Sequence, residues 1–210
     1  MTRTIAILLV LTGGCSALDP SSMPPPSRYS LDSAPIASQP ARPVTAPTLV
    51  VNPPHAAAGF DSQRIAYLRE THKREYFAHN EWVDTPARML APLIVSAVEA
   101  GGAFRAVVLT PSAALGELRL DTEILRLQHD FRTRPSSVRF TLRATLVDNA
   151  TRKVVAWREF DETVVAQSEN PYAGVIAANR AVQAVLEQLA GLCATAARGW
   201  SPRAAEAKLQ

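Results

Sequence analysis

Hydrophobic and polar residues alternate most cleanly in the middle of this chain. Val138, Phe140, Leu142, Ala144 and Leu146 fall on one side of a period-two pattern, and Arg139, Thr141, Arg143 and Thr145 on the other. That pattern predicts a strand with one buried and one solvated face. The Asp-Asn-Ala-Thr stretch at 148–151 reads as a hairpin turn. Residues 153–165, with Val155 and Trp157, read as the returning strand. Upstream, Leu118 and Leu120 alternate with Arg119 and Asp121, but Ile124 and Leu125 are adjacent, and Leu127, His129 and Phe131 continue on odd numbers. A slip of one residue changes the buried face, so a β-bulge or strong bend is expected near Ile124–Leu125. Antiparallel strands with one wet face fit this whole region.

Two segments carry helical spacing instead. Thr85 and Pro86 suit a cap and a first helical position, Met89, Leu90, Leu93, Ile94, Ala97 and Val98 make one apolar face, and Gly101-Gly102 stops the run. Pro92 lies inside and is expected to kink it. Asn170-Pro171 opens a second helix, over residues 171–194, with Tyr172, Val175, Ile176, Val182, Val185, Leu186, Leu189 and Leu192 as its stripe. It would be ~36 Å long and would lie across the sheet. Shorter strands are expected at 28–31 and 48–51, both as edge strands because prolines lie close by, and at 103–109. Residues 64–68 and 75–78 read as a hairpin joined by the charged stretch 69–75, with a helix as the alternative. The fold class is therefore α+β: an antiparallel sheet with long meander strands packed against two main helices.

The N-terminal end follows other rules. Residues 5–11 are an unbroken apolar run after Arg3, followed by Gly13, Gly14 and Cys15. Seven residues span only ~10 Å as a helix against ~30 Å of bilayer core, so the run fits the core of a cleaved export signal rather than an anchor. The segment resembles a bacterial lipoprotein signal peptide with its lipobox, with Thr12 where leucine is usual. That resemblance implies cleavage before Cys15 and acylation of the new N-terminal cysteine. Residues 16–54 hold 10 of the 16 prolines, so the stretch after the cysteine reads as an extended tether. The expected organisation is a signal peptide over 1–14, a Pro/Ser-rich tether over 15–27, one α+β domain over 28–195 and a frayed tail over 196–210.

Composition narrows function by exclusion. The net charge is +3 and no run of five or six like charges or basic aromatic stripe appears, which points away from nucleic acid. With Cys15 acylated, Cys193 is left without a disulfide partner and reads as a core residue. None of His55, His72, His79 and His129 falls in a His-Glu-x-x-His motif, and no Gly-x-Ser-x-Gly, phosphate-loop or dinucleotide fingerprint is present. His72 and His79, seven apart, read as surface histidines rather than a metal pair. Glu159, Asp161 and Glu162 read as a solvated acidic face. Trp82 and Trp157 read as core residues, and Trp200, near the frayed end, as an exposed aromatic that marks a partner or membrane contact. The only residue assigned a chemical role is Cys15, for lipidation; no catalytic, cofactor-binding or metal residue is assigned.

A set of residues beyond these patterns resembles a known family. Arg28-Tyr-Ser-Leu31, Leu49-Val-Val51, Gly59-Phe60-Asp61, Arg64-Ile-Ala-Tyr67, Tyr76-Phe77, Glu81-Trp82, residues 86–90 and the closing 172–192 helix are together similar to the ABC-type transport auxiliary lipoproteins, the PqiC-like family. Tyr67, Trp82, Pro86 and Leu90 are the most specific part. The resemblance implies a non-catalytic periplasmic domain, lipid-anchored to the outer membrane and partnered with an MCE-type ABC transport system that moves lipids or other hydrophobic molecules. Ser16 after the cysteine resembles the signal for outer-membrane retention. Homo-oligomerisation stays open. The alternative is an envelope assembly or scaffold lipoprotein that binds an outer-membrane protein or peptidoglycan. A hydrolase would need a nucleophile–base or carboxylate pair, and none stands out.

Overall fold

The computed structural model describes residues 25–32 and 45–201. The expected signal peptide, Cys15 and most of the tether lie outside the described residues, as does the last part of the expected tail. In chain order the elements are β1 (Ser27–Tyr29), β2 (Thr48–Val51), β3 (His55–Ala56), β4 (Arg64–Glu70), β5 (Lys73–Trp82), α1 (Pro86–Ala100), β6 (Ala106–Leu109), β7 (Leu118–Asp130), β8 (Ser137–Asp148), β9 (Val154–Val165) and α2 (Pro171–Gly199). The class is α+β, a many-stranded sheet with two helices.

Strand β7 is the spine. One side of it pairs antiparallel with β8 along its whole length, and β8 pairs antiparallel with β9. The other side is shared by three short parallel strands: β2 against Leu118–Leu120, β3 against Glu123 and Ile124, and β4 against the last three residues. Outward from these, β6 pairs parallel with β2, β5 antiparallel with β4, and β1 parallel with β5. The sheet is thus mixed rather than antiparallel throughout. Strands joined by tight turns run antiparallel, whereas those that reach their neighbour through a long connection are free to run parallel.

The expected bulge is present: Ile124 faces Leu142 and Arg126 faces Thr141, which leaves Leu125 unmatched. Before it, even-numbered residues of β7 point into the core; after it, Leu127 and His129 do. Leu142, Phe140 and Ala144 on β8 are fully buried, as the alternation predicts. Strand β9 departs from expectation. Its core face is Ala156, Phe160 and Val164, because Phe160 is registered against Leu142. Trp157 therefore points outward, 59% exposed, and is not a core residue.

Both helices lie on one face of the sheet. Helix α1 starts at Pro86 after an extended Thr85, whose side chain makes no capping bond. Asp84 Oδ1 accepts from the Thr85 N–H instead. Pro92 sits on the exposed side and the helix continues past it to Gly101 and Gly102, the latter at φ 62°. In α2, Asn170 Oδ1 caps the Ala173 N–H at 2.9 Å. Its 29 residues run to Gly199, past the expected end at 194, so residues 196–199 belong to the helix and not to a frayed tail. The extension is held by Ala194 and Ala197, both buried, and by Trp200, whose Nε1 donates to Asp148 Oδ2 at 2.7 Å. Tyr172, expected in the apolar stripe, is 60% exposed beside Tyr29.

Two further strands differ from the pattern reading. Strand β2 is fully buried between β6 and β7 rather than at an edge, since Pro47, Pro53 and Pro54 all fall outside it and remove no ladder donor. The β4–β5 hairpin turns at Thr71 and His72 alone, with His72 in the left-handed region at φ 66°.

Candidate functional site

The face of the sheet opposite the helices carries the charge. On β7–β8–β9 many outward residues are charged, and they pair with opposite charges across or along the strands. Arg143 reaches Glu123 on one side at 3.2 Å and Glu159 on the other at 3.3 Å. Arg119 Nε donates to Asp121 at 3.0 Å. Asp161 accepts from Arg139 Nε at 2.8 Å and from Thr141 Oγ1 at 2.7 Å. Hydrogen bonding by Arg139, with support from Thr141, holds the Asp161 carboxyl down to about 2. Opposite charges facing one another across strands stabilise a sheet modestly. Glu159 and Asp161 thus belong to a solvated, paired face. Glu162 points the other way and accepts from Gln188 of α2. The three acidic residues do not form a carboxylate pair.

The interior holds one polar constellation that local sequence does not mark. His129, only 2% exposed, shares a 2.9 Å hydrogen bond between Nε2 and Ser136 Oγ. The Ser136 N–H donates to Glu169 Oε1 at 2.8 Å. Burial pushes the imidazole down to about 4, against the opposing pull of Glu169 and Asp130. Around it stand Phe131, 3.9 Å away ring to ring, and Phe77, with Tyr67 against both phenylalanines. Ser136 is fully enclosed at 0% exposure, so this serine offers no surface to a substrate. The contacts join residues 129, 136 and 169, a separation with no motif to reveal it; only the placement of His129 on the buried odd-numbered face was a signal.

The most specific residues of the family resemblance are packing residues here. Tyr67 and Trp82 are buried, and Leu90 is fully so. The apolar cleft between sheet and α2, lined by Ile65, Trp82, Leu127 and Val175 among others, has only about 10 Å³ of free volume. That is about room for one water and far short of a ligand pocket.

The remaining candidates separate clearly. Cys15 lies outside the described residues. Cys193 is fully buried and unpaired, and burial pushes its thiol up to about 12. His72 and His79 are both exposed, at the two-residue turn and along β5. Seven residues of strand set them ~23 Å apart, too far to share a metal. Among the described residues no group of three or more His, Cys, Asp or Glu could hold a metal ion, and no helix is long and apolar enough to cross a membrane. Trp200 is half-buried against the core rather than free for a partner.

Residues 29–190 match the family described as ABC-type transport auxiliary lipoprotein component, and the chain belongs to that family. Its fold is similar to that of the Xanthomonas campestris protein XCC0632, a DUF330 protein, at 23% identity and a TM-score of 0.72, covering 82% of this chain and 98% of that one. An uncharacterized protein of solved structure follows at 12% identity and a TM-score of 0.62, over 80% and 97% of the two chains. At these identities the likeness speaks for the fold alone. No curated protein matches the sequence.

Proposed function

We propose that this protein is a non-catalytic adaptor, acylated at Cys15 and held on the periplasmic face of the outer membrane, that serves an MCE-type ABC transport system moving lipids or other hydrophobic molecules. The observation that carries the adaptor reading is the closed interior. The cleft between sheet and α2 has about 10 Å³ free, so no acyl chain enters there, and recognition falls to outer surfaces. Those surfaces are distinctive. Strand β9 pairs only with β8 among the described residues, and so presents a long free edge flanked by Val154, Val155 and Trp157, all exposed. An edge of this kind is suited to receive a partner strand. Family membership supports the transport context, and the apolar run, Gly13-Gly14 and Cys15 support the anchor.

Two measurements test the reading. Cys15→Ala should move the protein from the membrane to the soluble fraction; unchanged membrane association would remove the anchor. Pull-down from detergent-solubilised envelopes should recover an MCE-type protein. Recovery of only a porin-assembly or cell-wall partner would replace transport with envelope assembly.

A further inference from the structure

The bulge in β7 has a chemical consequence on the open face of the sheet. It moves the outward positions from odd to even numbers, so Arg126, Gln128 and Asp130 point to the solvent side, opposite the helices. There they line a groove of about 340 Å³ together with Arg74 of β5, Arg132 of the following loop and Arg139 of β8. The volume is within the range of small-ligand sites.

The charges in this groove do not cancel. Arg139 is engaged by Asp161, and Arg132 by Asp130. Arg74 lies over the Phe60 ring at 4.2 Å and donates to the Ala58 carbonyl at 3.0 Å, which orients it without neutralising it. Arg126 makes no hydrogen bond or ion pair to any described residue, and its nearest registered neighbour is Thr141. Two guanidinium charges are therefore left over in one concavity. A second observation points the same way. Gln128 is only 9% exposed, lines the groove, and its amide has no hydrogen-bond partner among the described residues. Solvent reaches that amide from the groove, so it is free to donate to a bound acceptor.

We propose that this groove binds a phosphate group, with Arg126 as its central ligand and the Gln128 amide as a second donor. Planar guanidinium groups with several donors suit a phosphate better than a halide, because they meet two oxygens at once, and a phosphate's further oxygens and larger charge match two cations and an amide donor better than a single carboxylate does. The phosphate is carried by a phospholipid headgroup or is free in the periplasm; both present the same oxygens. The site stands on this geometry and goes beyond the adaptor reading.

The test is calorimetric titration of the purified full chain in a nonionic detergent with two probes: inorganic phosphate, and dihexanoyl phosphatidylglycerol below its micelle concentration. Saturable binding of phosphate assigns the site to free phosphate, and binding of the lipid alone assigns it to a headgroup. In either case Arg126→Gln should weaken binding about ten- to hundred-fold, the loss expected for a charge-assisted hydrogen bond. Gln128→Leu, which keeps the charge, should weaken it several-fold. Arg158→Gln, on β9 and outside the groove, should leave it unchanged, and this variant separates a site from general attraction to a cationic protein. The proposal is overturned by no saturable heat up to about 10 mM of either probe. It is equally overturned by Arg126→Gln or Gln128→Leu variants that melt like the parent and bind like it.

Discussion

At the scale of single residues, Gly174 is fixed by its close approach to a confined neighbour. It sits in the first turn of α2, directly over the His129 ring. A β-carbon placed there would meet His129 Nδ1 at 2.3 Å and Cε1 at 2.8 Å. The ring has no room to retreat, since Phe131 lies 3.9 Å away and Ser136 holds Nε2. Ala at this position gains about 1 kcal/mol of helix propensity, but overpacking a rigid site costs about 1–3 kcal/mol. Gly174→Ala should therefore destabilise the fold by up to about 2 kcal/mol, read as a lower urea midpoint with an unchanged slope. A midpoint at or above the parent's would mean that helix and ring separate easily. Trp200 shows the same dependence on distant partners. Its role is set by Asp148, fifty-two residues away; burial works to raise that carboxyl, but hydrogen bonds from Trp200 and Thr151 hold it low.

At the scale of elements, the β8–β9 connection predicts a gain. Arg152 occupies the left-handed region at φ 58°, in a hairpin where Arg152 N–H donates to the Asp148 carbonyl at 2.8 Å. A non-glycine residue is strained there by about 1 kcal/mol, and glycine relieves the strain at some cost in chain entropy. Arg152→Gly should raise stability by about 0.5 kcal/mol, seen as a higher urea midpoint; a loss would show that the side chain holds the turn. How far such elements were legible depended on the kind of signal. The β7 bulge was visible because Ile124 and Leu125 interrupt an otherwise regular alternation. The inward face of β9 was not, because residues 154–157 are apolar at every position and carry no period. Phe160, registered against Leu142, decides that face, and a register between distant strands leaves no mark in local spacing. The parallel pairs of β2, β3 and β4 with β7 were hidden for the same reason. The lipobox-like stretch at Cys15 is contiguous and could be read directly. The groove at Arg126 draws on residues 74, 126, 132 and 139, and only the bulge hinted that one of them would turn outward.

At the scale of the whole molecule, the one-sided architecture fixes how stability responds to acid. Both helices cover the same face, and His129 lies beneath the start of α2, where it cannot be hydrated when charged. Its value falls from 6.5 to about 4 in the fold, with burial as the largest cause. Above pH 6.5 the imidazole is neutral in folded and unfolded chains alike, and the full stability is present. As the pH falls from 6.5 to 4, the unfolded chain binds a proton that the native state refuses, so stability declines, by about 3 kcal/mol across that window. The solvated face responds later. Asp161 is held at about 2 against an ordinary 3.8, so the stabilisation from its partners persists until the pH drops below 3.8. The two faces therefore lose stability in separate ranges, the buried one first. Urea midpoints at pH 8, 6 and 4.5 should show the decline in the parent chain. His129→Gln should be less stable at pH 8 but show little change between pH 8 and 4.5. An equal decline in the variant would place the acid sensitivity elsewhere than beneath α2.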